Sequence, residues 1–192
     1  MSGTNIKAGI LKSASDVEGV TPAAEIILRA IAKAHLKTGV PIMLHSYSPA
    51  QIARQQLPIL KEESVSLKRV KVDHSNDTRD MEYLLWLLGQ GCYLGLDRYP
   101  GHTVSSLDRT KTMKALIDAG YIGRLCPSHD RSILRIQRVN PEITEEERLK
   151  LNPYGYLYIK NVVFAQLREL GASEGIINAL CVNGPRNFFE GV

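Results

Sequence analysis

The sequence is poor in cysteine and in aromatic residues, and it has no long apolar run. Its three cysteines, Cys92, Cys126 and Cys181, form no Cys-x-x-Cys pair, and an odd number cannot close a disulfide framework. That usage fits a reducing compartment, so a cytoplasmic location is expected. No apolar stretch approaches the roughly 18 residues of a membrane span, and no membrane association is expected. The opening residues MSGTNIKAGI lack a basic stretch followed by an apolar core, so no secretion signal is evident. The glycosylation-type match Asn76-Asp77-Thr78 is then read as chance. Clustered positive charge is also missing. The net charge is +4 and the pI near 9.0, but lysines and arginines are dispersed among acids, and no nucleic-acid partner is expected. Fifteen glycines and nine prolines in 192 residues exclude a collagenous or low-complexity chain. What remains, 44% hydrophobic and 23% charged, is a globular composition able to bury a core, expected as a single domain over residues 1–192.

Short apolar runs alternate with longer stretches of helical period. Candidate strands begin near Ile6, Val40, Arg69, Gly91 and Arg124, which are 22 to 34 residues apart, close to the roughly 30 residues of one βα unit. Between them lie helices with legible ends. Thr21-Pro22 opens the first, with Ile26, Ile27, Ala30, Ile31 and Ala34 expected on its buried face and Gly39 just past its end. Ser48-Pro49 opens a second, Asp77-Thr78 a third running to Gly89, and Ser106 a fourth ending at Gly120. The polar, proline-flanked stretch from Asn140 to Pro153 reads as a long surface loop, and two closing helices are expected near Tyr156 to Leu170 and Ser173 to Cys181. Five βα units of one sense suggest part of a (β/α)₈ barrel, whose full length is typically about 250 residues. An open doubly wound sheet is the alternative.

Each candidate strand ends in an ionisable side chain: Lys12, His45, His74, Asp97 and Asp130. A lone histidine is more often a hydrogen-bonded structural residue, and a lone aspartate after a strand is often a helix cap. In a parallel sheet, however, all carboxyl ends lie on one face, so these five converge on one rim. Two imidazoles from adjacent strands suit a divalent ion such as zinc, and a third protein ligand completes a catalytic site. Lys12 stands in the right place, but an ammonium has no lone pair. Carboxylation of its amine by CO₂ would make it a ligand, and that needs the neutral amine.

The runs IKAGILKSAS, GVPIMLH, VKVDHSNDT, GCYLGLDRYP, ALIDAGY, SHD and NGPRNFF, in that order, resemble the carboxyl-terminal part of the phosphotriesterase family of the amidohydrolase superfamily, which includes lactonases. The resemblance implies a partial (β/α)₈ TIM barrel and a metal-dependent hydrolase acting through hydroxide on a small-molecule lactone, ester or organophosphate. It implies Lys12, once carboxylated, as the bridging metal ligand, His45 and His74 as ligands of the more exposed metal, and Asp130 as ligand of the buried metal and proton acceptor. Zinc is the expected ion, with manganese, cobalt or iron as others, at one or two per chain. By the same resemblance Asp77 belongs to the network that carries the proton outward, Arg98 marks the lactonase-like members and contacts substrate, and Tyr99 lines the pocket. The stretch after Asn140 falls where the family carries its substrate-covering loop.

The chain departs from the family in having no His-x-His pair, because the first three βα units are absent from the sequence. That leaves the buried metal with only Asp130 and the carbamate, while the other keeps the carbamate, His45 and His74. The absent units also expose sheet edges, so a homo-oligomer or a complementing amino-terminal segment is expected. The competing reading is a non-catalytic truncated or split barrel fragment. A third takes Cys126 and His129 as nucleophile and base, although residues three apart on a strand point to opposite faces. His35 reads as structural, His102 as a candidate substrate contact, and Tyr154, Tyr156 and Tyr158 as an aromatic wall or as packing.

Overall fold

The structure, a computed structural model, describes residues 4–101, 103–130 and 144–191. His102 and the first part of the loop expected after Asn140 therefore lie outside the described residues.

Five parallel strands form one sheet in sequential order: β1 (Leu11–Ser15), β2 (Ile42–Ser46), β3 (Val70–Asp73), β4 (Tyr93–Leu96) and β5 (Leu125–Pro127). The crossovers carry α1 (Pro22–Thr38), α2 (Ala53–Glu62), α3 (Met81–Gly89) and α4 (Ser106–Asp118). A doubly wound sheet reverses its strand order at a switch point, and this one does not. Each strand is added beside the last, as in a sector of a (β/α)₈ barrel.

The helix-facing side of the sheet presents Ile42, Leu44, Val70, Val72, Leu94 and Leu96, packed with Leu28, Leu57, Leu84, Leu87 and Met113 of the crossovers. Each such fully buried side chain contributes about 1.5–3 kcal/mol. Because neighbouring strand residues point to opposite faces, Lys12, Met43, His45, Lys71, Asp73 and Tyr93 share the concave side. The face that would line a barrel is therefore polar.

Local signals place α1 and α4 well, while α2 and α3 begin at Ala53 and Met81, a few residues after the starts expected at Ser48-Pro49 and Asp77-Thr78. Thr21 caps α1 by accepting from the Ala24 N–H, and Gly39 ends it at φ 70°. Asp80 caps α3 and Ser105 caps α4 in the same manner. Other expectations also need correction. Strand β1 begins at Leu11 rather than near Ile6, so Lys12 is its second residue and not its last. Its helix-facing positions are Leu11, Ser13 and Ser15, of which only Leu11 is apolar, and Ile6, where the strand was expected to begin, is 67% exposed. On α1 the buried stripe is Ala24, Leu28, Ile31, Ala32 and His35, whereas Ile26 and Ile27 face outward. His35 anchors that rotation through a 2.8 Å contact of Nδ1 with the Val40 carbonyl, a structural role as expected. Finally, the stretch expected as a loop contains α5 (Glu145–Leu151). Its acidic and basic residues at helical spacing, such as Glu146 with Lys150 at 2.9 Å, support a helix with a solvated face.

The carboxyl-terminal part continues as α6 (Phe164–Glu169), α7 (Glu174–Asn178) and α8 (Gly184–Glu190), so the second closing helical segment extends well past Cys181. Phe188 of α8 packs edge-on against Tyr93 of β4 at 5.2 Å between ring centroids. Among the described residues no helix is long and apolar enough to cross a membrane.

Candidate active site

His45 is the fourth residue of β2, and strand alternation turns it away from buried Leu44 and Ser46 onto the concave face. His74 follows β3 directly with φ 60°, a left-handed conformation that non-glycine residues seldom adopt. This geometry brings His74 Nε2 to 2.8 Å from His45 Nδ1, a hydrogen-bond distance, with the ring planes 76° apart. Asp97, directly after β4, takes the His74 backbone N–H at 3.1 Å on one oxygen and His74 Nδ1 at 2.7 Å on the other. An ionised carboxylate can only accept, so Nδ1 is the donor to Asp97, and in the neutral imidazole Nε2 then presents its lone pair toward His45. A carboxylate behind an imidazole in this manner fixes the tautomer that a metal-binding histidine requires. Burial, followed by His74 and Arg98, lowers the pKa of His45 against the pull of Asp16, whose carboxylate is 3.4 Å from Nε2.

Lys12 is paired with Asp73 and not with the histidines. Its Nζ lies 2.5 Å from Asp73 Oδ2, and the other Asp73 oxygen is 3.0 Å from Lys71 Nζ. Asp73 is thus a nearly buried carboxylate shared by two ammonium groups, an arrangement the sequence does not advertise. Gly95 of β4 makes it possible, since a Cβ there would come within 2.5 Å of Asp73 Oδ1 and 2.9 Å of its Cα.

Across the rim, Asp77 accepts from Arg98 Nη1 at 2.8 Å on one oxygen and from Arg109 Nη2 at 2.6 Å on the other. Arg98 Nε stands 3.6 Å from Asp130 Oδ2, so Arg98 links the two carboxylates expected to handle the proton. Burial lowers the Arg98 pKa, but Asp77 outweighs it, with Asp97 and Asp130 adding to the effect, and the guanidinium is held charged. Arg98 at φ 60° and Asp130 at φ 47° share the left-handed backbone of His74. Such residues cost about 1–3 kcal/mol each and persist where surrounding contacts impose them.

Not every expected residue stands on the rim. Tyr99 is only 3% exposed and belongs to the core, its ring 6.4 Å from Tyr158, and burial pushes its hydroxyl up to about 12. Its apolar ring is better satisfied there than on the open face. Tyr154 and Tyr156 are roughly half exposed, while Tyr158 lies between the rings of Tyr99 and Tyr154. Cys126 and His129 do not form a catalytic pair. Burial pushes the Cys126 thiol up to about 11, and His129 Nε2 is engaged with the Tyr156 carbonyl at 3.0 Å.

The donor set fits a divalent cation in part. His45 Nδ1 and His74 Nε2 face one another, the chemistry of a zinc-type site. Among the described residues, though, no group of three or more His, Cys, Asp or Glu side chains is arranged to hold a metal. Lys12 as an ammonium belongs to Asp73, and Asp130 is turned to Arg98.

Comparison with known proteins adds an independent finding. The sequence model described as Phosphotriesterase family matches residues 1–189. A Phosphotriesterase homology protein of Mycobacterium tuberculosis is 35% identical over 188 residues, which is 97% of this chain and 56% of that protein. An Aryldialkylphosphatase of Saccharolobus solfataricus is 31% identical, over 99% of this chain and 60% of the relative. An N-acetyltaurine hydrolase of Xenopus tropicalis is 25% identical over 97% and 54%. The solved structure of the phosphotriesterase from Mycobacterium tuberculosis superposes with a TM-score of 0.87 at 33% identity, covering 99% of this chain and 58% of that one. The chain thus spans a little over half the length of these relatives.

Proposed function

The chain belongs to the phosphotriesterase family, and on that premise we propose that it provides the carboxyl-terminal five-unit part of a metal-dependent hydrolase acting on a small-molecule ester, lactone or organophosphate. The observation that carries this reading is the approach of His74 Nε2 to His45 Nδ1 with Asp97 fixing the His74 tautomer. The two imidazoles would hold one divalent ion, with zinc favoured by the nitrogen donors and manganese, cobalt or iron as substitutes. Lys12 would join them as a carbamate after leaving Asp73, which Lys71 at 3.0 Å would still compensate. Asp130 is the candidate ligand of a second ion. When bound, such an ion lowers the pKa of water and polarises a carbonyl or phosphoryl oxygen.

The chain's own groups supply the rest. Asp130 accepts the proton, Arg98 holds Asp130 and Asp77 in one line, and the exposed part of its guanidinium is available to the oxygen on which negative charge develops. An arginine at this place leans the specificity toward lactones. The names of the relatives, an Aryldialkylphosphatase and an N-acetyltaurine hydrolase, indicate that one scaffold serves different leaving groups.

In the described sheet β1 and β5 each pair on one side only, and α1 leaves Ile26 and Ile27 exposed. We therefore place a second copy or a complementing amino-terminal segment against the β1 edge. One experiment tests both parts: zinc-loaded protein is sized by light scattering and assayed with an aryl ester, a lactone and a paraoxon-like triester. Hydrolysis of at least one, lost on chelation, by a species larger than a monomer is expected. Protein inert to all three with any of the four metals would point to the non-catalytic reading, and a stable, cooperatively folding monomer would remove the association.

A further inference from the structure

We infer that Arg109 is a positioning residue of this site, a buried guanidinium that locks the loops after β3 and β4 together and thereby sets the orientation of His74 and Arg98. The inference rests on the reading above only in taking those two residues as part of the site.

Arg109 projects from the first turn of α4 with its side chain 2% exposed. Its Nε donates to the Val104 carbonyl at 3.0 Å, Nη1 to Asn76 Oδ1 and to the Asp97 carbonyl, both at 3.1 Å, and Nη2 to Asp77 Oδ1 at 2.6 Å. Two acceptors come from the loop after β3 and two from the loop after β4. Taking a guanidinium out of water is costly, and a single carboxylate in contact offsets it only when the remaining N–H groups are also satisfied. A planar fork of five donors can serve four acceptors in two loops, and a lysine ammonium cannot reproduce that pattern. The loop after β4 wraps the guanidinium closely at Gly101, where φ is 93° and a Cβ would meet Arg109 Nε at 2.5 Å.

Two lines run outward from this hub. Asp97 has its carbonyl held by Arg109 while its carboxylate holds the His74 backbone N–H and Nδ1. Asp77 has one oxygen on Arg109 and the other on Arg98, which reaches Asp130. His74 and Arg98, the residues at the end of these lines, both sit at φ 60°. A backbone in that region relaxes unless neighbouring contacts hold it, and Arg109 bonds the segments on either side. Among the described residues no hydrogen bond or ion pair joins Arg109 to Lys12, His45, His74 or Asp130, so its effect passes through Asp77 and Asp97.

The test follows the His74 ring in metal-free protein by its imidazole nitrogen resonances, so it requires neither a metal nor turnover. Wild type is expected to show one Nδ1–H tautomer. Arg109→Ala is expected to lose that single pattern in favour of two exchanging tautomers, and millimolar guanidinium, but not ammonium, to restore it by refilling the cavity. Arg109→Lys, which keeps the charge and is the milder change, is expected to show the same loss in part and serves if the alanine variant does not fold. A purely structural role would lower the melting temperature and leave the His74 pattern of the folded protein intact. That result in either variant overturns the inference, whether or not the chain proves to be a hydrolase.

Discussion

The centre of the rim and its two flanks are built differently. At the centre, the side chains of His74, Asp97 and Arg109 are 4%, 4% and 2% exposed, and every polar contact that links them lies between 2.7 and 3.1 Å. At the flanks, Lys12 is 46% exposed and Asp130 54%, and each is held by a charge partner rather than by a net of hydrogen bonds. Apart from His45 of β2, the centre draws its partners from two consecutive βα units. Lys12 belongs to a strand with a neighbour on one side only. Preorganisation of a site needs supporting groups whose own positions are fixed. The centre has them, and the exposed flank residues do not.

Removing Asp97 should break the centre most severely. Asp97→Ala strips the His74 backbone N–H and Nδ1–H of their acceptor inside the protein. A buried donor left unpaired costs about 1–3 kcal/mol, so a loss near 2–4 kcal/mol is expected in urea unfolding. The same change at a flank should be mild. Lys12→Met removes a half-exposed ion pair, typically worth under about 1 kcal/mol, and leaves Asp73 with Lys71. Equal losses for the two variants would show that centre and flank do not differ in the way their burial indicates.

The same contrast separates what was legible in the sequence from what was not. Thr21, Pro22 and Gly39 fixed the limits of α1 because capping is local chemistry. The number and spacing of the strands follow from the repeat of apolar runs, which a barrel sector and a doubly wound sheet share, and His45 and His74 are recognisable because imidazoles at strand ends converge. The supporting groups were hidden. Asp97 is legible as a residue of the rim but not as the support of His74, and no local pattern singles out Arg109, Asp73 or Lys71. Their roles depend on which side chains face them across the sheet, and one sequence carries no record of that. The buried stripe of α1 was misplaced for a related reason. Both faces of that helix are apolar, and only contact with β1 and α2 decides which is inside.

The smallest effect concerns His45, which joins centre to flank. Its pKa lies below the ordinary 6.5, chiefly through burial, with His74 and Arg98 adding to it. In the unfolded chain the imidazole gains its proton near that ordinary value, while the folded protein resists until the pH is lower. Above about 6.5 neither state is protonated, and the full stability is present. As the pH falls from there, the unfolded state binds protons first and stability declines, until the pH passes the folded pKa and the decline stops. Melting temperatures of chelator-treated protein between about pH 7 and pH 5 should therefore fall more steeply for wild type than for His45→Gln, which has no proton to gain. The difference should be modest, because the side chain is 22% exposed and water screens its neighbours. Parallel slopes would mean that the imidazole is as well hydrated as in the unfolded chain, and the closed pairing with His74 would then have to open in solution.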